Sequence, residues 1–153
     1  AITVEYMLRE NYSGDDILDF LTQESKYYKR DVDKSFTGIY GLFNGEYLDG
    51  IGWQPEKDYV PQDREWYKAA VAANGEPAFV QPYLDAQTGT IMVSISQLLE
   101  DKESVISLDI ELGTLQEETE AIKLNGHGYG FVCDKTGLVV THSNNKSIGR
   151  DYR

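Results

Sequence analysis

Side chains capable of ligand chemistry are densest at residues 59–67, which read Tyr-Val-Pro-Gln-Asp-Arg-Glu-Trp-Tyr. On an ideal helix Arg64 and Trp66 would lie about 200° apart, so they can converge only if Arg64 lies in the turn before the regular helix. A guanidinium and an indole N–H beside the unpaired backbone N–H groups of a helix start would bind a carboxylate well. The spacing therefore predicts one end of a site for an anionic group.

Acidic side chains on two predicted strands are candidates for the opposite end of such a site. Tyr83 and Asp85 are two residues apart and share one face of a strand, whereas Asp109 lies on the polar face of another strand. If the two carboxylates converge, they could bind an ammonium group. The same residue types leave an ordinary interpretation open, in which the charged groups pair at the surface and the aromatic groups pack in the core.

The composition excludes several other classes of function. The chain has 153 residues, 41% hydrophobic and 26% charged, which is typical of one compact soluble domain. Its net charge of -12 would repel nucleic acid and anionic lipid. No apolar run approaches the ~18 residues needed to span a bilayer, and the N-terminus shows no signal segment. We expect a soluble chain with no nucleic-acid partner.

Cysteine and histidine usage argues against metal and redox chemistry. Cys133 is the only cysteine, so no internal disulfide can form, and its apolar neighbours predict a buried, inert thiol. His127 and His142 lack any metal-ligand spacing. We therefore expect neither a metal nor a cofactor.

Helix signals define the first group of elements that must position the site. Ser13 and Asp16 form a capping-box pattern ahead of a helical apolar stripe, and Asn74-Gly75 provides a left-handed helix exit. Helices are predicted at 14–29, at about 64–73 after an Asp63 cap, and over about ten residues from Thr114 to near Asn125-Gly126.

Strand signals define the second group. Asn44-Gly45 separates two apolar runs and predicts a type I′ hairpin, while the stretches at 91–96 and 106–111 alternate apolar and polar residues. Together with a strand near 79–85, these elements predict an α+β unit with a five-stranded antiparallel sheet and helices to one side. A further hairpin at 128–142 either packs on this unit or begins a second domain.

At these residues the sequence resembles the double Cache sensory domains found outside the cytoplasmic membrane in bacterial chemoreceptors, histidine kinases and diguanylate cyclases. The similarity to the membrane-distal module covers about residues 13–124, including the stretch 59–70, Pro82-Tyr83-Leu84-Asp85, Thr88-Gly89 and 105–111. The stretch 128–149 is similar to the opening hairpin of the membrane-proximal module. The resemblance implies a PAS-like Cache module at 1–124 and the start of a second module at 125–153.

The resemblance also implies an extracytoplasmic sensor that binds a free amino acid and regulates a transmembrane signalling protein. The full-length protein would have flanking transmembrane helices and could form a homodimer, although the family's long N-terminal dimerisation helix is reduced here to a possible stub. In the amino-acid-binding subgroup, the ligand carboxylate would be faced by Tyr59, Arg64 and Trp66. The ligand ammonium would be surrounded by Tyr67, Tyr83, Asp85 and Asp109.

Two other interpretations stay open. Asp85 and Asp109 could act as the acid and base of a carboxylate-dependent hydrolase, although no nucleophile with an adjacent base accompanies them. Alternatively, a Cache module could have an empty distal pocket or one that binds a small organic acid. Selectivity for the ligand side chain would depend on neighbours that offer both apolar and hydroxyl contacts, such as Tyr40, Phe43, Trp53, Met92 and Ser94.

Overall fold

The computed structural model describes residues 1–84, 90–123, 126–134 and 136–153. The chain divides into two compact units, the first formed by 1–80 and 94–110 and the second by 81–93 and 111–153. The α-helices of the described ranges are α1 (Ile2–Arg9), α2 (Gly14–Tyr27), α3 (Glu65–Ala73) and α4 (Gly113–Ala121). The strands are β1 (Phe36–Phe43), β2 (Glu46–Asp49), β3 (Ala78–Phe79), β4 (Tyr83–Leu84), β5 (Ile91–Leu98), β6 (Val105–Glu111), β7 (Phe131–Cys133) and β8 (Val139–His142).

The main sheet confirms the predicted α+β class. Five strands follow the order β2-β1-β6-β5-β3, and the short β4 pairs with the start of β5. The sheet is antiparallel, with helices flanking it. No helix of the described ranges combines the length and apolar character that a membrane span requires.

The capping box at the start of α2 is confirmed. The Ser13 hydroxyl accepts a hydrogen bond from the Asp16 N–H at 3.2 Å, and Asp16 Oδ2 accepts one from the Ser13 N–H at 3.0 Å. The Ser13 hydroxyl also donates to Asp16 Oδ2, and this bond, together with the one from the Ser13 N–H, stabilises the carboxylate and lowers the pKa of Asp16. The helix ends at Tyr27, two residues before the predicted end, and continues as a π-helical turn at Tyr28–Val32.

The predicted β1–β2 hairpin is also confirmed. Asn44 and Gly45 both have positive φ, 50° and 81°, as a type I′ turn requires. Side chains of β1 alternate between two cores, so Ile39 and Phe43 pack with α1 and α2 while Tyr40 packs with α3. The expectation that Phe43 and Tyr40 line one pocket is therefore wrong, since residues three apart on a strand lie on opposite faces.

Strand β6 separates apolar from polar side chains as its alternation predicts. Ile106 and Leu108 contact the core formed with α1 and α2. Ser107 and Asp109 alternate with them and therefore lie on the opposite face of the strand. Helix α3 also packs on that opposite face, through Trp66, so the helices cover both faces of the sheet rather than one side.

The second unit contains α4 and the separate two-stranded sheet of β7 and β8. Helix α4 begins at Gly113, where Leu112 provides no side-chain cap, and ends at Ala121, short of the predicted end. The Thr119 and Thr141 hydroxyls, both buried, hydrogen-bond at 2.7 Å and hold α4 to β8. Cys133 is exposed, which corrects the expectation of a buried thiol, because Val132 rather than Cys133 takes the more buried face of β7.

Candidate ligand-binding site

Arg64 occupies the position that the sequence requires of it. Its backbone is extended (φ −83°, ψ 148°) and forms the N-cap of α3, so Arg64 precedes the regular helix and Trp66 lies within it. The predicted Asp63 cap is wrong. A 3-10 turn at Pro61–Asp63, closed by the hydrogen bond from the Arg64 N–H to the Pro61 carbonyl at 3.0 Å, moves Asp63 out of the capping position.

Tyr59 brings Arg64 and Trp66 together. The central guanidinium carbon of Arg64 lies over the Tyr59 ring, 4.5 Å from its centroid. The Trp66 indole N–H donates to the Tyr59 hydroxyl at 3.3 Å. Three residues predicted to face a ligand carboxylate are thus in direct contact. Arg64 is exposed, and no carboxylate within the described part of the chain forms an ion pair with it.

Trp66 connects this cationic end to the sheet. Its side chain is buried, at 7% exposed, and its ring meets the Tyr40 ring edge-on with centroids 5.3 Å apart. Ala70, one helical turn after Trp66, is fully buried in the same cluster, so α3 packs on the sheet through these two residues. Such packing fixes the indole, which makes Trp66 a rigid wall rather than a mobile side chain.

An aromatic cluster behind Tyr59 was not predicted. The rings of Tyr47, Trp53 and Tyr59 contact one another edge-on, with centroid separations of 5.2–5.7 Å. The Tyr47 hydroxyl donates to Asp49 at 3.2 Å. Burial, reinforced by the nearby Asp49 charge, raises the pKa of Tyr47. These contacts support the Tyr59 ring on one side. The only signal for them in the sequence is the aromatic type of the residues.

The anionic end of the site centres on Asp109. Asp109 Oδ1 accepts hydrogen bonds from the Tyr40 hydroxyl at 3.0 Å and from the Ser94 hydroxyl at 2.6 Å. Its backbone carbonyl accepts a further bond from the Thr37 hydroxyl at 2.8 Å. Tyr40 therefore touches both ends, because its ring contacts Trp66 and its hydroxyl contacts Asp109.

The remaining predicted site residues have other surroundings. The Tyr67 hydroxyl donates to the Glu103 carbonyl at 3.0 Å, although its ring also contacts Trp66. Tyr83 belongs to the second unit, where it pairs with Met92 on β5. Asp85 lies outside the described residues. The roles predicted for these three residues stay predictions.

Two further observations on the described residues concern metal-ligand groups and surface grooves. Across the described ranges, three or more His, Cys, Asp or Glu side chains do not gather into a group that could hold a metal ion. An open groove runs along α1 and contains none of the predicted site residues. It is lined by Ile2, Thr3, Glu5, Tyr6, Arg9 and Glu100.

The guanidinium of Arg64 and the carboxylate of Asp109 lie at the two ends of a series of aromatic contacts formed by Tyr59, Trp66 and Tyr40. A model of the family described as "Methyl-accepting chemotaxis protein-like, first PDC sensor domain" matches residues 6–117. The chain belongs to this family.

Curated relatives are methyl-accepting chemotaxis proteins. McpB of Bacillus subtilis is 32% identical over 117 residues, which are 76% of this chain and 18% of McpB. McpA of Bacillus subtilis is 28% identical over 145 residues, which are 94% of this chain and 22% of McpA. The chain thus spans about a fifth of the length of these relatives.

Solved structures share the fold. The ligand-binding domain of the Pseudomonas aeruginosa PAO1 amino acid chemoreceptor PctC, in complex with GABA, has a TM-score of 0.64 and 20% identity and covers 97% of this chain and 72% of its own. The ligand-binding domain of Mlp24 with asparagine has a TM-score of 0.64 and 22% identity and covers 99% and 68%. At these identities the likeness concerns the fold alone.

Proposed function

We propose that this domain binds a free amino acid and thereby regulates a transmembrane chemoreceptor. The observation that carries the proposal is the contact of Arg64, Tyr59 and Trp66 at one end and their connection through Tyr40 to Asp109 at the other. An α-amino acid has opposite charges on adjacent groups, which matches a cationic and an anionic end joined by a short wall. The amino-acid complexes of structurally similar domains support this ligand class.

Each end has a distinct role in the proposed complex. The Arg64 guanidinium would form a charge-assisted, bidentate contact with the ligand carboxylate, since guanidinium geometry matches both oxygens. The Trp66 N–H donates to the Tyr59 hydroxyl, which would in turn donate its own proton to that carboxylate and orient it. Asp109 would attract the ammonium group, and Tyr67, Tyr83 and Asp85 are expected to complete its surroundings by the resemblance that first suggested them.

The finer domain assignment is part of the same proposal. We infer a double Cache arrangement, with a membrane-distal module at 1–124 and the start of a membrane-proximal module at 125–153. The family match ends at residue 117 and the β7–β8 hairpin forms its own sheet, which supports a boundary in this region. The module would lie outside the cytoplasmic membrane, with a chemotaxis output favoured by the relatives; a kinase or cyclase output stays a prediction.

Signalling in this proposal requires no chemical step. The ligand shifts an equilibrium between two receptor states by no more than its differential affinity for them. We therefore expect no turnover of a bound amino acid by the purified domain.

A thermal-shift screen of the purified domain against the twenty L-amino acids, each also assayed as its deaminated acid, tests the proposal. A rise in Tm with at least one amino acid, and a much smaller rise with its deaminated acid, is the expected result. Equal shifts would favour the organic-acid alternative. No shift with any of them would overturn amino-acid binding.

A further inference from the structure

We propose that Tyr40 and Ser94 are positioning residues, which hold the Asp109 carboxylate in the orientation that receives the ligand ammonium. This inference rests on the proposed function. It assigns roles to two residues that are not among the seven expected to face the ligand carboxylate and ammonium. Its basis is the convergence of two hydroxyl donors on one oxygen, Asp109 Oδ1, at 3.0 Å and 2.6 Å.

Both donors are themselves fixed. Ser94 is 1% exposed and Tyr40 is 9% exposed, so neither side chain can turn freely toward solvent. Ser94 and Asp109 face each other across β5 and β6, next to the Ser96–Ser107 hydroxyl pair at 2.8 Å, and Tyr40 reaches Asp109 from β1. Tyr40 on β1 and Ser94 on β5 thus donate from the two strands on either side of β6. Together they restrict rotation of the Asp109 side chain.

The charge distribution follows from this geometry. Two hydroxyl groups donate to Oδ1, and such hydrogen bonds are strongest when the acceptor is a negatively charged carboxylate. They also determine which way the plane of the carboxylate faces. An ammonium group then meets an oriented anion, which avoids the cost of ordering it during binding.

Tyr40 has a second role, because it contacts both the cationic and the anionic end of the site. Its ring meets Trp66 and its hydroxyl meets Asp109, so one rigid side chain sets the spacing between the carboxylate and ammonium ends. Loss of the Tyr40 hydroxyl should therefore impair binding even though the ring, and the packing against Trp66, remain.

Isothermal calorimetry on Ser94→Ala and Tyr40→Phe tests the proposal. The probe is the free L-amino acid that gives the largest Tm shift in the screen. Each variant should bind that amino acid about tenfold more weakly or worse, because each loses a hydrogen bond to a charged group. Ser94→Thr keeps a hydroxyl and should bind within about threefold of wild type. Ser96→Ala is the matched control, since it removes a buried hydroxyl from the same face of β5 without touching Asp109.

A double-mutant cycle separates positioning from a general structural role. In an Asp109→Asn background, Ser94→Ala should weaken binding by less than about twofold, because the carboxylate it positions is gone. An equal loss in both backgrounds, or an equal loss from Ser96→Ala, would overturn the inference. Wild-type affinity in Ser94→Ala and Tyr40→Phe would overturn the inference and leave amino-acid binding intact, whereas a wild-type protein that binds no amino acid would overturn both.

Discussion

The guanidinium of Arg64 lies over the ring of Tyr59, with its central carbon 4.5 Å from the ring centroid. A cation in this position gains about 0.5–1 kcal/mol at an exposed site. The contact also restricts the long arginine side chain before any ligand arrives. The Arg64 side chain is therefore partly ordered in the free domain, so binding costs less side-chain entropy.

Arg64→Ala should abolish amino-acid binding and leave the fold intact. The residue is exposed at the start of α3, so its removal creates no cavity, while the ligand carboxylate loses its charge-assisted partner. We expect a loss of ~2–5 kcal/mol in binding free energy, as for charge pairs at interfaces. Calorimetric titration measures the affinity, and the melting temperature of the ligand-free domain monitors the fold.

Lys68→Ala is the matched control for Arg64→Ala. Lys68 lies one turn further along α3, and its ammonium makes an exposed pair with Glu65 at 3.8 Å. Its removal withdraws the same charge from the same helix, so it should leave binding unchanged. Wild-type affinity in Arg64→Ala would remove Arg64 from the site.

Asp109→Asn should weaken binding by roughly tenfold or more, about 1.4 kcal/mol, because it withdraws negative charge from the ammonium end. The asparagine carbonyl oxygen can still accept hydrogen bonds from the Tyr40 and Ser94 hydroxyls, so the ligand-free domain should melt at or above the wild-type temperature. Calorimetry and a thermal melt without ligand measure the two effects. A ligand-free variant that melts well below wild type would show that Asp109 is structural.

Local sequence patterns predicted the elements that depend on local geometry. The Ser13–Asp16 capping box and the Asn44-Gly45 turn both depend on backbone preferences within a few residues. The alternation along β6 predicted which side chains share a face with Asp109, since a strand has a period of two.

Nonlocal contacts account for what the sequence left unpredicted. The bond from Tyr40 to Asp109 joins residues 69 positions apart, and it requires that β1 pair with β6, which no local pattern specifies. Tyr47 supports Tyr59 for the same kind of reason, because the β1–β2 hairpin carries its ring to the residues ahead of α3. Asp63 failed as a cap because a 3-10 turn shifts the helix start by a single residue, and propensity alone rarely resolves such a shift.

Alkaline pH should destabilise the domain partly through Tyr47. Burial raises the pKa of Tyr47 above its ordinary value of 10.0, so the folded state holds the proton more tightly than the unfolded state. The stabilising contribution is fully present below pH 10.0 and is lost as the pH rises further toward the folded pKa, because only the unfolded state then ionises. Denaturant unfolding of wild type and Tyr47→Phe on both sides of pH 10.0 measures the effect.

The Tyr47→Phe variant should lose less stability than wild type over that alkaline range, whatever its stability at neutral pH. Tyr12→Phe, at a ring that is 44% exposed, is the matched control and should follow wild type. Parallel pH profiles for wild type and Tyr47→Phe would contradict the prediction.

The final prediction concerns the two ends of the ligand, which should be recognised independently. An amino-acid amide lacks the carboxylate for Arg64, and a deaminated acid lacks the ammonium for Asp109, so each leaves a charged group of the site without a partner. Each analogue should bind at least about a hundredfold more weakly than its parent amino acid, a difference of roughly 2.7 kcal/mol.

At about 100 times its Kd, the parent should stabilise the native state by about 2.7 kcal/mol, which raises Tm by roughly 5–11 °C for a domain of this size. Thermal melts with matched concentrations of parent, amide and deaminated acid measure the difference. A parent and deaminated acid with equal shifts would show that the anionic end is not recognised, and equal shifts from parent and amide would show the same for the Arg64 end.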